Sequence, residues 1–180
     1  MVKPGEPRVL VAYGSKNGST AEIAERIGEA LSKAGCATSV YPAREVSGDV
    51  AAYDAVVLGG ALYSGHWHRD ARRFVRRAGP RLGARPLWLF SSGPLDASAA
   101  ERDIPPVRGV RRVAGRLDAR GHITFGGRLD EHAHGRTART IVRAGRGGDF
   151  RDLGQITGWA ELIARDLLAA RSGPGDTEGT

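Results

Sequence analysis

The sequence predicts an α/β domain, a five-stranded parallel sheet with helices on both faces. Three observations carry that expectation. Short, continuous apolar runs recur at residues 8–13, 53–60 and 86–92, as expected of strands buried on both sides. Segments with apolar residues at helical spacing lie between them. The length of 180 residues, 41% apolar and 26% charged, suits a single core.

Each element follows in order. Residues 8–13 (RVLVAY) form the first strand. Residues 20–34 form a helix: Ile23, Ala24, Ile27 and Leu31 share one face, Glu22, Glu25, Arg26 and Glu29 lie opposite, and Gly35 is placed to stop it. Residues 38–41 form a short second strand that Pro42 ends. Cys36, the single cysteine, stands before it as a small buried residue and has no partner for an internal disulfide. Residues 53–60 (YDAVVLGG) form the third strand. A helix over 67–78 buries Trp67, Ala71, Phe74, Val75 and Ala78, turns five arginines outward and stops at Gly79–Pro80. Residues 86–92 (PLWLFSS) form the fourth strand. Residues 107–120 form a helix with Val110, Val113, Ala114 and Leu117 inward. Residues 122–127 (HITFGG) form the fifth strand, and residues 155–170 a last amphipathic helix carrying Ile156, Trp159, Ile163 and Leu167.

Residues 1–171 thus read as one domain. The tail 172–180 (SGPGDTEGT) carries no core residue and is expected to be disordered. One segment breaks the rhythm. Residues 130–152 are polar, glycine-rich and basic, and longer than an ordinary strand-to-helix connection, so they read as a functional or disordered loop.

Composition bounds the function. No apolar run approaches a membrane span, and the N-terminal MVKPGEPR has no hydrophobic region behind it. A cytoplasmic protein follows, with a peripheral contact at the inner membrane face as an option. Net charge is +7, and 24 of the 27 cations are arginine. Between His66 and Arg151 there are 19 arginines against 8 carboxylates. Solvated helix faces account for part of this. The remainder suits an anionic partner, either a polycarboxylate substrate or acidic lipid headgroups. The arginines are scattered with little aromatic interleaving, so no nucleic-acid module is expected. His66/His68 and His132/His134 make two H-x-H pairs, but no cysteine or carboxylate pattern completes a metal site.

In an open α/β sheet, ligands sit at the carboxyl ends of the strands. Four loops leave the strands there, at 14–19, 61–66, 93–103 and 128–152. The first, GSKNGS before Thr20, gathers hydroxyls, an amide and backbone N–H groups at a helix N-terminus, a site for a phosphate. It lacks the Gly-Lys-Ser/Thr ending of a Walker loop and is not a G-x-G-x-x-G fingerprint. The second, within GGALYSGHWH, joins Gly59 and Gly60, which let a flat ligand come close to the backbone, to Tyr63, His66 and Trp67, which can stack on it or pack at its edge. The third, SSGPLD, adds small residues and exposed donors. A phosphate cradle beside two loops able to sandwich a planar ring suits a flavin mononucleotide (FMN).

The stretch LVAYGSKNGSTAEIAERI resembles the flavodoxin signature. Tyr13, Ser15, Gly18, Thr20, Ala24 and Ile27 match its spacing, and Ala12 departs from it at a strand packing position. The resemblance implies a flavodoxin-like three-layer sandwich with strand order 2-1-3-4-5. It implies that Ser15, Asn17, Gly18 and Thr20 bind the FMN phosphate, with the backbone of Lys16 and Ser19. It implies that the loop Ala61, Leu62, Tyr63, Ser64, Gly65 and Trp67 and the loop Ser91, Ser92, Gly93 and Pro94 hold the isoalloxazine ring. YSGHWHRDARRFVRR, the FGG ending of strand five and GGDFRD before the last helix are similar to the menaquinone-dependent protoporphyrinogen IX dehydrogenase branch. That likeness implies an FMN-dependent dehydrogenase passing electrons from an anionic aromatic precursor to a quinone. His66, on a ring-side loop and able to titrate near neutrality, is the candidate catalytic residue. The competing reading is a flavodoxin-type electron carrier; carriers of that family are generally acidic, and this chain has a sequence pI near 10.3. A binding module without flavin would have no use for the phosphate loop.

Overall fold

The computed structural model describes residues 5–16, 18–46, 50–93, 95–129, 136–145 and 147–171, with the backbone alone for 136–138. Asn17, Pro94, His132, His134 and the tail 172–180 lie outside the described residues. The strands are β1 (Arg8–Gly14), β2 (Ala37–Pro42), β3 (Ala55–Tyr63), β4 (His66–Trp67), β5 (Leu87–Ser92), β6 (Gly121–Phe125), β7 (Arg128–Leu129) and β8 (Gly148–Asp149). The helices are α1 (Ser19–Lys33), α2 (Arg69–Leu82), α3 (Ser98–Glu101), α4 (Arg108–Arg116), α5 (Arg136–Arg143) and α6 (Leu153–Arg171).

The main sheet runs β2-β1-β3-β5-β6, all parallel. Counting only these five strands, the order is the expected 2-1-3-4-5. β1 lies between β2 and β3 and is buried on both faces. Its side chains alternate: Val9 and Val11 join the core under α1 and α6, while Leu10 and Ala12 join the core under α2 and α4. The first core is completed by Ile23, Ile27, Leu31, Phe90, Phe125 and Ile156, and the second by Leu58, Phe74, Val75, Leu82 and Leu89. Each such side chain contributes about 1.5–3 kcal/mol when fully removed from water. The parallel arrangement sends the ends of β1, β3, β5 and β6 to one edge.

Several boundaries differ from expectation. β3 continues to Tyr63 and folds back through β4, which pairs antiparallel with it, Leu62 opposite Trp67 and Tyr63 opposite His66. The two turn residues, Ser64 (φ 48°) and Gly65 (φ 74°), both take the positive φ that a two-residue type I′ hairpin requires. Trp67 is therefore a strand residue, although it is buried in the layer predicted for it. α2 starts at Arg69 and runs through Gly79–Pro80 to Leu82. Proline removes one donor near the helix end, while continuing the turn buries Leu82 completely. α4 ends four residues early, at Arg116. The basic segment 130–152, predicted as a loop, contains α5 and β8, and β8 pairs antiparallel with β7 just before the segment. Only Ile141 and Val142 among the described side chains of α5 are apolar and half-buried, too weak a pattern to announce a helix.

Gly59 and Gly60 also depart from expectation. They make room for core rings, not for a ligand. A Cβ on Gly59 would lie 2.0 Å from the Phe90 ring, and one on Gly60 2.8 Å from the Trp67 indole. Gly59→Ala should therefore cost about 1–3 kcal/mol by overpacking, read as a lower urea midpoint. Phe90→Leu in the same chain should recover part of the loss. An unchanged midpoint for Gly59→Ala would mean that the Phe90 ring does not occupy this space.

Candidate functional site

At the end of β1 the chain crosses Gly14–Gly18 and enters α1. Gly18 is the N-cap, in the left-handed region (φ 82°, ψ −25°), and no side chain caps the helix. The first-turn N–H groups have no partner within the helix. Ser15 Oγ accepts from Gly18 N at 3.2 Å and holds the loop's shape. Thr20 is 1% exposed, and its Oγ1 is buried with no hydrogen-bond partner among the described residues. An unpartnered buried hydroxyl costs about 1–3 kcal/mol. A hydroxyl beside free N–H groups and the positive end of a helix dipole suits an anion.

Ser19 has another role. Its Oγ accepts from Arg128 N at 3.0 Å and fastens the start of the β7–β8 hairpin to α1. Close by stands a network that sequence reasoning missed. Arg128 donates to both oxygens of Glu22, at 3.0 and 2.5 Å. Arg151 donates to Glu22 Oε2 at 2.6 Å and to Asp149 at 2.8 and 2.6 Å. The Arg151 side chain is only 9% exposed. Burial alone would raise the Glu22 carboxyl, but the Arg151 and Arg128 hydrogen bonds outweigh it and hold the group below its usual range. The Arg151 hydrogen bond likewise holds Asp149 low. A carboxylate in the first turns of α1 would repel a bound phosphate; two guanidinium groups offset it. An acidic residue at an expected anion site, together with an arginine just past the fifth strand, was the signal available.

The loops after β3 and β5 form the neighbouring wall. Tyr63 reaches the backbone of Lys16, while burial raises its phenol above the ordinary value. Its ring meets His68 edge-on at 6.0 Å. His68 caps α2 by accepting from Asp70 N at 3.4 Å. Ala61 is buried and its carbonyl accepts from His68 N. Leu62 packs against Gly93, where an added Cβ would come within 3.0 Å, so the two loops are in contact. Gly93 N in turn donates to Phe125 O at 3.2 Å.

Ser64, Gly65 and His66 are exposed at the hairpin tip. Trp67, Ser91 and Ser92 are buried, with Ser91 fully inaccessible. Trp67 Nε1 donates to Ser91 Oγ at 2.9 Å, and Ser91 Oγ lies 3.0 Å from His122 Nε2. The Trp67 and Ser91 side chains thus serve each other. Burial pushes His122 down to about 4, against the opposing effect of Asp103. His122 is therefore neutral at ordinary pH. The structure brings Ser15, Ser19, Thr20 and Tyr63 to one corner and Leu62 and Gly93 to the next. His66 instead lines a cleft with Arg72, Val75 and Val110 between α2 and α4. Among the described residues, no three His, Cys, Asp or Glu stand together as a metal group. No helix there is long and apolar enough to cross a membrane.

A family model described as the flavodoxin domain matches residues 10–146. The chain belongs to the flavodoxin domain family. Solved structures agree on the fold. Rubredoxin oxygen:oxidoreductase of Desulfovibrio gigas matches 94% of this chain with 38% of its own, at TM-score 0.63 and 14% identity. Oxidised flavodoxin 2 of Bacillus cereus matches 88% with 99%, at 0.61 and 17%. Protoporphyrinogen IX dehydrogenase (quinone) of Escherichia coli K12 is 26% identical over 106 residues. That alignment covers 58% of this chain and 58% of the relative, so the chain matches little more than half of that protein's length. The cofactor of this flavodoxin domain is FMN, and the orphaned Thr20 hydroxyl at the uncapped start of α1 fits its terminal phosphate.

Because Glu22 and Asp149 have depressed folded values, their network stabilises above the ordinary carboxylate range and is lost as pH falls through those folded values. Glu22→Gln should be less stable than the parent near pH 7, and the gap should narrow as pH falls below the ordinary Glu value of about 4.3. Urea midpoints measured across that range check this. A gap independent of pH would remove the electrostatic account.

Proposed function

We propose that this flavodoxin-domain protein is an FMN-dependent dehydrogenase that oxidises an anionic aromatic precursor of the porphyrinogen class and delivers the electrons to a quinone. The carrying observation is the 106-residue similarity to protoporphyrinogen IX dehydrogenase (quinone). The arginine excess supports it, since guanidinium groups pair with substrate carboxylates.

When bound, FMN supplies the hydride-accepting and electron-donating chemistry. The chain's residues position it. Thr20 Oγ1 and the first-turn N–H groups of α1 would hold the phosphate, with Ser15 keeping the loop in shape. The tip residues Ser64 and Gly65, with Tyr63, would flank the ring on one side and the Gly93 loop on the other. The Trp67–Ser91–His122 chain fixes the hairpin from behind. His66 Nδ1 lies 2.9 Å from the Ser64 carbonyl. With its proton on Nδ1, the ring leaves Nε2 to accept one from a substrate in the α2–α4 cleft.

The second reading is an electron carrier. The match of 88% of this chain to 99% of a flavodoxin favours it, and the net charge of +7 opposes it. One experiment separates the two. The FMN-loaded protein is mixed with protoporphyrinogen, with and without a menaquinone analogue, and no other protein. The dehydrogenase reading predicts flavin bleaching by substrate and recovery on adding the quinone. A flavin spectrum that substrate leaves untouched would remove the porphyrinogen reading.

A further inference from the structure

The helices on the two faces of the sheet carry different charge. α1 and α6 together hold five carboxylates against four cations, a net −1. α2 and α4 hold ten arginines against one carboxylate, Asp70, a net +9. One helical layer thus carries more positive charge than the entire chain, whose net is +7. Several arginines elsewhere are paired: Arg120 with Asp166 and Arg171 with Asp54, each at 3.0 Å, and Arg128 and Arg151 as described. On the α2–α4 face, Arg72, Arg73, Arg76, Arg108, Arg112 and Arg116 are exposed, with no carboxylate partner among the described residues. Like charges crowded this way repel one another, and among the described residues no carboxylate compensates for these six. A polyanionic surface would.

The same face contains a cleft. Arg72, Arg76 and Arg116 rim it, Val75, Val110 and Val113 lie between them, and His66 and Trp67 close one end. The basic face is therefore continuous with the β3–β4 hairpin at the ligand edge. Its chemistry favours phosphates over bases. Its exposed side chains include no aromatic group for stacking and no Asn or Gln for reading base edges. The large apolar side chains that are exposed, Tyr41, Tyr63, Leu153 and Leu162, lie outside α2 and α4. Contact would therefore rest on charge, without insertion.

We propose that the α2–α4 face docks the protein on an anionic phospholipid bilayer, with guanidinium groups on headgroup phosphates and the hairpin edge turned to the membrane margin. This stands whether or not the substrate reading holds.

The test uses the full chain loaded with FMN and co-sedimentation with vesicles of phosphatidylcholine containing about one-third phosphatidylglycerol, at about 0.1 M salt. Binding is expected to these vesicles, to fade at high salt and to be absent with phosphatidylcholine alone. Arg72→Gln/Arg76→Gln/Arg116→Gln should weaken partitioning about 100-fold, from about a fivefold loss per basic group. Arg26→Gln/Lys33→Gln/Arg165→Gln removes equal charge from the opposite layer and should leave it nearly unchanged. FMN uptake reports that both variants are folded. Equal losses in the two variants, or equal binding to neutral vesicles, would overturn the proposal. So would tighter binding to a DNA duplex at matched phosphate and salt, which would assign the face to nucleic acid.

Discussion

Between Gly14 and Ser19 the chain leaves β1, an interior strand of the sheet, and starts a helix with no side-chain cap. That junction sets the character of the ligand edge. β1 is fixed by neighbours on both sides and cores above and below, so its end is held firmly. α1 then projects free N–H groups and the buried Thr20 hydroxyl at one point. Left empty, this arrangement is costly; filled by an anion, each donor is satisfied. Neighbouring contacts keep the point open. Ser19 faces the β7–β8 hairpin, and Glu22 is held by two guanidinium groups.

The other wall depends on packing. Gly60 admits the Trp67 indole, and Gly59 admits the Phe90 ring. Trp67 is then tied through Ser91 to neutral His122 on the edge strand β6. A tight hairpin standing on a buried ring with a hydrogen-bonded base is a rigid wall at this edge of the sheet.

What could be read from the sequence was local. The change of hydrophobic period at residues 13–20, with small and hydroxylated residues between, announced strand, anion loop and helix together. The alternation of apolar runs and amphipathic segments announced the parallel sheet. What could not be read depended on distant partners. The Glu22 contacts to Arg128 and Arg151 span 106 and 129 residues. Gly59 and Gly60 suggested an approach to a ligand because Phe90 and Trp67 could not be placed against them. Pro80 suggested a helix end because the gain from burying Leu82 is tertiary. α5 was hidden by arginines that obscure its short apolar face.

The central claim is that the start of α1 is a phosphate site in which the Thr20 hydroxyl is a ligand. The direct measurement compares dissociation constants of FMN and riboflavin for the parent and for Thr20→Val, which keeps the side chain's shape. A lost hydrogen bond to a charged group corresponds to about tenfold to a hundredfold in affinity. The account predicts that loss for FMN, with riboflavin binding unchanged. Equal loss for both ligands, or none for either, would contradict it.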